Sequence, residues 1–201
     1  MTILSKNNEQ GRSMVEMLGV LAIIGVLSVG GISGYSKAMA KFKLTKAQDQ
    51  ISMLLMNIRT AFATSPNYGG LTNESAIAYN IAPGDMVGDP TATTPSKINH
   101  AFGGAVTVKA CDSSGGTDST QYFYIQLDGL GNEACQALAS SDWGTDGLVS
   151  LNGKTTDNPG TTIDELGTAT PAASLPITIF KAKEKGYCEK GKYSSLRWIY
   201  Y

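Results

Sequence analysis

The run Gly11–Ile32 reads GRSMVEMLGVLAIIGVLSVGGI. From Ser13 to Ser36, between Arg12 and Lys37, the only charged residue is Glu16, five residues after Gly11. An apolar segment of about 20 residues is long enough to cross a bilayer as a helix. A carboxylate deep in such a segment costs about 2.5–3.5 kcal/mol on insertion scales, so Glu16 calls for a partner of opposite charge.

The segment is a poor secretory signal peptide. Such a peptide has a basic leader, an apolar core of about 7–15 residues and a small-residue cleavage site after that core. Here residues 1–10, MTILSKNNEQ, hold one Lys and one Glu, and no A-x-A site follows the apolar run. Instead a helical pattern continues through Tyr35, Met39, Phe42, Ala47, Ile51, Leu54, Leu55, Ile58 and Phe62. Lys41, Lys43, Lys46, Gln48, Asp49 and Arg59 fill the other face. Ser65-Pro66-Asn67 followed by Gly69-Gly70 is a stop signal. The spacing predicts one helix over Met14–Ala63, which at about 1.5 Å per residue spans roughly 75 Å. Its first half is apolar all round, and its second half is amphipathic. Gly19, Gly25, Gly30, Gly31 and Gly34 fit close helix packing in a membrane. They also weaken the helix locally, most at Gly30-Gly31.

The chain beyond Pro66 differs in character, with most of its Gly, Ser, Thr and Asn there. Residues 71–82 predict a short helix capped by Thr72 or Asn73 and ended by Pro83-Gly84. Residues 103–109 and 121–127 predict a β-hairpin around Asp112–Asp118. Residues 131–139 predict a capped helix that starts at Asn132, and residues 141–170 mostly loop. Ile177–Phe180 and Ser195–Tyr200 predict two further strands. Cys111, Cys135 and Cys188 lie in this half. The leading segment implies export, where disulfides persist. Three cysteines allow one bond and one leftover thiol, in any of three pairings.

Taken together, Gly11, one residue, S-M-V-E and an apolar helix resemble the processing signal of type IV prepilins. That resemblance implies that a membrane peptidase, the prepilin peptidase, cuts between Gly11 and Arg12 and methylates the new amino terminus. Glu16 then becomes the fifth residue of the mature chain and serves subunit assembly. One departure is Arg12, where the family usually has an apolar residue; it adds a charge at the membrane boundary, where its side chain can reach the headgroups. The layout is most similar to the type IVb subclass, whose two cysteines match Cys135, after Asp128-Gly129-Leu130, and Cys188. A Cys135–Cys188 disulfide is therefore implied, with Cys111 left over. The implied architecture is α+β, a type IV pilin fold: a long helix packed on an antiparallel sheet, with a disulfide-bounded carboxy-terminal region. Expected segments are a leader (1–11), a membrane and assembly half-helix (12–36), an amphipathic half-helix (37–65) and a globular head (66–201).

Other chemistry has little support in the residues. The net charge is −1, from 16 Lys+Arg and 17 Asp+Glu, which lacks the basic face that nucleic acid requires. There is one histidine, His100, and no G-x-S-x-G, P-loop or H-E-x-x-H pattern. The cysteines lack zinc spacing. Asp142, Asp146, Asp157, Asp164 and Glu165 lack EF-hand spacing and read as solvated loop acids. No enzyme activity, metal or cofactor is expected. The expected role is a structural subunit, the major pilin, of a type IVb pilus serving adhesion, aggregation or conjugative contact. Expected partners are prepilin peptidase, other pilin subunits, the pilus assembly machinery, the inner membrane before assembly, and a host or recipient cell surface. Two rival readings are a minor pilin or type II secretion pseudopilin, and a membrane-anchored binding domain that never polymerises.

Overall fold

The computed structural model describes residues 10–88, 97–144, 146–158, 168–171, 174–184 and 186–201. Helix α1 runs over Gln10–Ala61. The chain divides into two compact units, and the division falls inside this helix between Phe42 and Lys43.

In the first unit the large apolar side chains from Met14 to Tyr35 are all 52–76 % exposed. No part of this segment is a core helix of its own chain. Among the described residues, the helix that contains it is the one long and apolar enough to cross a membrane.

In the second unit α1 turns amphipathic. Ala47, Gln50, Ile51, Leu54 and Ile58 are buried, at the three- and four-residue spacing that puts them on one face. Each fully buried Ile or Leu contributes about 1.5–3 kcal/mol of transfer free energy. They share one core with the sheet residues Val106, Val108, Phe123, Ile125, Leu127, Leu151, Leu196 and Trp198. After Ala61 the chain turns, and the Phe62, Tyr68 and Phe123 rings pack in a row, tilted by 47° and 53°, with centroids 5.5 and 4.5 Å apart. Helix α2 (Asn73–Ala78) follows, capped by Thr72: its hydroxyl accepts the Ser75 N–H, and the Ser75 hydroxyl accepts the Thr72 N–H.

Among the described residues six strands follow: β1 (Ile98–Asn99), β2 (Ala105–Cys111), β3 (Tyr122–Leu130), β4 (Leu148–Thr156), β5 (Thr168–Pro171) and β6 (Tyr193–Tyr200). They form one sheet in the order β1-β2-β3-β6-β4-β5, with every pair antiparallel. The last strand thus lies between β3 and β4. Helix α3 (Asn132–Ala139) follows β3, and α4 (Ile179–Glu184) follows β5. Alternation splits the sheet into two faces. Leu196, Trp198 and Tyr200 of β6 join the core shared with α1, whereas Ile199 joins a second cluster with Cys111 and Tyr124. Beyond the β1 pairing, the outer edge of β2 is covered by the segment before it. The Asn73 side chain accepts the Val108 N–H (2.7 Å) and donates to the Val106 carbonyl (2.8 Å), which closes an otherwise open strand edge.

The elements depart from the sequence expectations at three places. Residues 148–156 form β4 and 168–171 form β5, where mostly loop is expected. Their polar composition hides the pattern, and a register shift between Leu148 and Ser150 breaks the alternation. Ile177–Phe180 is not a strand: Ile177 is buried, Ile179 and Phe180 are exposed, and α4 starts at Ile179. Thr178 marks that start, since its hydroxyl accepts the Lys181 N–H at 3.3 Å. Helix α3 does start at Asn132, but its N-cap is Gly131 with no side-chain cap. The Asn132 amide donates instead to the Cys188 carbonyl, 3.0 Å away. Two of the loop acids named above, Asp164 and Glu165, lie outside the described residues, as do residues 1–9 of the expected leader.

Candidate assembly site and the core of the head

Gly11, Arg12 and Glu16 all lie in the first two turns of α1. Glu16 is exposed, and its neighbours Val15 (70 %) and Met17 (63 %) are exposed with it. A carboxylate on an uncovered apolar helix cannot stay so in hydrocarbon; it needs water or an opposite charge. The five helical glycines have open space where a Cβ would stand. Smallness there meets no need within this chain.

In the head, Cys135 on α3 is bonded to Cys188, which follows α4, with Cα atoms 5.7 Å apart and a sequence separation of 53. Both are fully buried. The adjacent Tyr187 is buried too, and its hydroxyl donates to the Leu151 carbonyl (3.2 Å). A Cβ at Gly153 would collide with the Tyr187 ring, so glycine is required where β4 passes this ring. The bond therefore ties α3 and the end of α4 against the sheet.

Cys111 is free and buried. Burial pushes its thiol up to about 12, the Asp112 charge adds to that and Arg197 opposes it. A thiol so held is neutral and unreactive. Near it Arg197 lies over the Tyr124 ring, 4.0 Å from the centroid, and donates to the Gln126 side chain at 2.8 Å. Gln126 donates in turn to Asp128, which also accepts the Ser195 hydroxyl. The buried cation thus has a ring and hydrogen bonds rather than solvent.

His100 is buried, with hydrogen-bond contacts at both ring nitrogens. A groove of 650 Å³ beside α1, walled by Leu55, Met56 and Trp143, offers Arg59 and Asp142 but no nucleophile–base pair. Among the described residues no three His, Cys, Asp or Glu side chains converge as a metal site would require.

The family model Bundlin matches residues 37–176. The chain belongs to the Bundlin family. The match begins in the amphipathic part of α1 and ends before α4. Two curated relatives carry the description "Major structural subunit of bundle-forming pilus", from Escherichia coli O127:H6 (strain E2348/69 / EPEC) and Escherichia coli O111:H-. Each is 27 % identical over 143 residues, covering 71 % of this chain and 70 % of the relative. A solved type IVb pilin from Salmonella typhi superposes with a TM-score of 0.50 at 18 % identity, covering 79 % of this chain and 97 % of that one. The fold is that of a type IV pilin, and a Bundlin-family chain is a pilus structural subunit rather than an enzyme. Other pilin subunits are its partners, and the filament is extracellular.

Proposed function

We propose that this chain is the major subunit of a type IVb pilus, cut after Gly11 and polymerised through its amino-terminal helix. The observation that carries this reading is the uncovered apolar stretch of α1, Met14 to Tyr35, with one carboxylate near its start and a Bundlin-family head after it. Cleavage between Gly11 and Arg12 by prepilin peptidase would create an α-amino group, whose ordinary pKa of about 7.7–8.0 leaves it mostly protonated at neutral pH. Glu16 of a subunit already in the filament attracts that amine on the incoming subunit. Low dielectric strengthens the attraction, and its short range helps fix the axial register. Residues 12–36 anchor the subunit in the inner membrane until the assembly machinery extracts it. Residues 37–65 carry the head, 66–201, which forms the filament surface and meets host or recipient cells.

Mass spectrometry of the amino-terminal peptide from sheared filaments tests the reading. A peptide starting at Arg12 with one added methyl is the expected result. A peptide starting at Met1 or Thr2 leaves Glu16 no amine to meet and overturns it in favour of an anchored, non-polymerising domain. Processing with only trace abundance in the sheared fraction would instead point to a minor pilin or pseudopilin.

A further inference from the structure

His100, the one histidine of the chain, is 3 % exposed in the turn between β1 and β2. Its Nδ1 accepts the Phe102 N–H at 3.2 Å. Its Nε2 lies 2.8 Å from the Asp128 carbonyl oxygen, which can only accept. A ring that accepts at one nitrogen and faces a carbonyl at the other is neutral, with its proton on Nε2. The fit is close: a Cβ at Gly104 would collide with the ring and with the Asp128 carbonyl.

The same turn is tied to α1. The Ala101 N–H donates to Gln50 Oε1 (2.9 Å), and Gln50 Nε2 donates to Asp85 (2.8 Å). Asp85 also pairs with Lys46 at 3.3 Å. The Asn99 N–H donates to the Met86 carbonyl, which binds the segment before β1 to the turn. Helix α1, residues 83–88 and residues 97–104 therefore form one hydrogen-bonded unit, and His100 fastens it to the end of β3.

We propose that His100 is an acid-sensitive latch, whose protonation expels the ring and releases residues 97–104, with the segment paired to them, from α1 and β3. An imidazolium has two donors and no acceptor, so its new Nδ1–H would face the Phe102 N–H. The charge would also stand in a buried site where the two ring nitrogens face a backbone carbonyl and a backbone N–H rather than a carboxylate. From α1 the charged group tied to this unit is Lys46, which pairs with Asp85. Asp85, from the segment before β1, is already engaged by Lys46 and Gln50. Asp128, from β3, holds the Gln126 amide and the Ser195 hydroxyl. Burial lowers the His100 pKa from its usual value, with the Asp128 carbonyl partly opposing. A released ring regains about 6.5. Opening therefore takes up a proton. Below pH about 6.5 its equilibrium constant rises by up to about tenfold per pH unit, until the folded pKa is passed. Asp85 is held below the usual carboxylate range, first by the Gln50 hydrogen bond, so its own protonation belongs to a more acidic window than that of His100.

The test uses the full chain in detergent micelles, carbon-13 labelled at histidine so that a single imidazole reports. At pH 7.5 the neutral Nε2–H form is expected, titrating with a midpoint below 6.5. Hydrogen-exchange mass spectrometry from pH 7.5 to 4.5, corrected for intrinsic exchange, should show residues 97–104 losing at least tenfold protection with the same midpoint. Peptides from β6 should keep theirs. His100→Gln, which supplies a donor and an acceptor without titrating, should flatten the response, while Asp85→Asn should retain it. An equal response in His100→Gln overturns the proposal, as does equal loss in β6. Should His100→Gln not fold, the wild-type chain still decides, because an exchange midpoint that differs from the imidazole midpoint also overturns it.

Discussion

The Asp112 side chain gathers four hydrogen bonds in the β2–β3 turn. Its carboxylate accepts from the Ser114 N–H (2.7 Å) and hydroxyl (2.6 Å), the Gly116 N–H (3.0 Å) and the Asp118 N–H (3.3 Å). These bonds, the Ser114 hydroxyl first, hold it down to about 2. Asp112→Ala is expected to lower the unfolding free energy at pH 7 by about 1–2 kcal/mol. Because the folded pKa is depressed, that contribution is present above about 3.9 and fades as the pH falls toward 2. Urea unfolding of both proteins at pH 7 and pH 2.5 checks this; an unchanged gap at low pH would refute it. Cys111 next to it is fully buried, and its thiol is pushed up to about 12. A maleimide should label no cysteine in the native chain and one in denaturant without reductant. Labelling of the native chain would contradict that burial. Asp112 in a turn was legible in the sequence, since Asp and Gly are turn residues by mechanism. That Cys111 faces Tyr124 and Ile199 was not, because strand alternation places a residue on a face without saying what lies there.

At the scale of elements, the long helix declared itself. Periodicity over some fifty residues is a strong signal, and the helix covers Gln10–Ala61. The β2–β3 hairpin and β6 were legible for the same reason: runs of β-branched and aromatic residues such as Tyr122–Leu127 have few other homes. Strand β4 was not, because LVSLNGKTT gains its identity from pairing with β6 and β5 on either side. Helix α4 is short enough that Thr178 was its main local sign. The disulfide joins α3, which the local pattern places, to the turn after α4, which it does not. Replacing Cys135 and Cys188 together by Ser should lower stability by about 4 kcal/mol in the chain-entropy model, from the 53-residue separation. Denaturant unfolding with and without reductant measures this. A loss below about 1 kcal/mol would mean that α3 and α4 are held by packing alone.

At the scale of the whole molecule, two units meet two solvents. The exposed apolar half of α1 is a liability in water and is at home in a membrane or a bundle of copies. If the amine–carboxylate pairing governs assembly, Glu16→Gln should leave cleavage after Gly11 intact and reduce filaments in the sheared fraction to background. A bulky residue at Gly11 should block cleavage itself and keep the full-length chain in the membrane. Immunoblotting of sheared and membrane fractions, with intact-mass measurement of each, separates the two. Normal filaments from Glu16→Gln would remove the electrostatic account of assembly.

What the sequence determined by itself is what one-dimensional periodicity and charge carry: a helix of apolar then amphipathic character, one carboxylate near its start, a hairpin, and a last strand. The lone carboxylate is visible in sequence because membrane energetics penalise a single residue strongly. Tertiary structure alone decided the rest. It placed β6 between β3 and β4, made a strand of 148–156, and turned the Asn132 amide to the Cys188 carbonyl. It also gave His100 two hydrogen-bond partners, one of them 28 residues away. Each of these depends on atoms distant in sequence, brought close only after the α1 face and the sheet have shut out water.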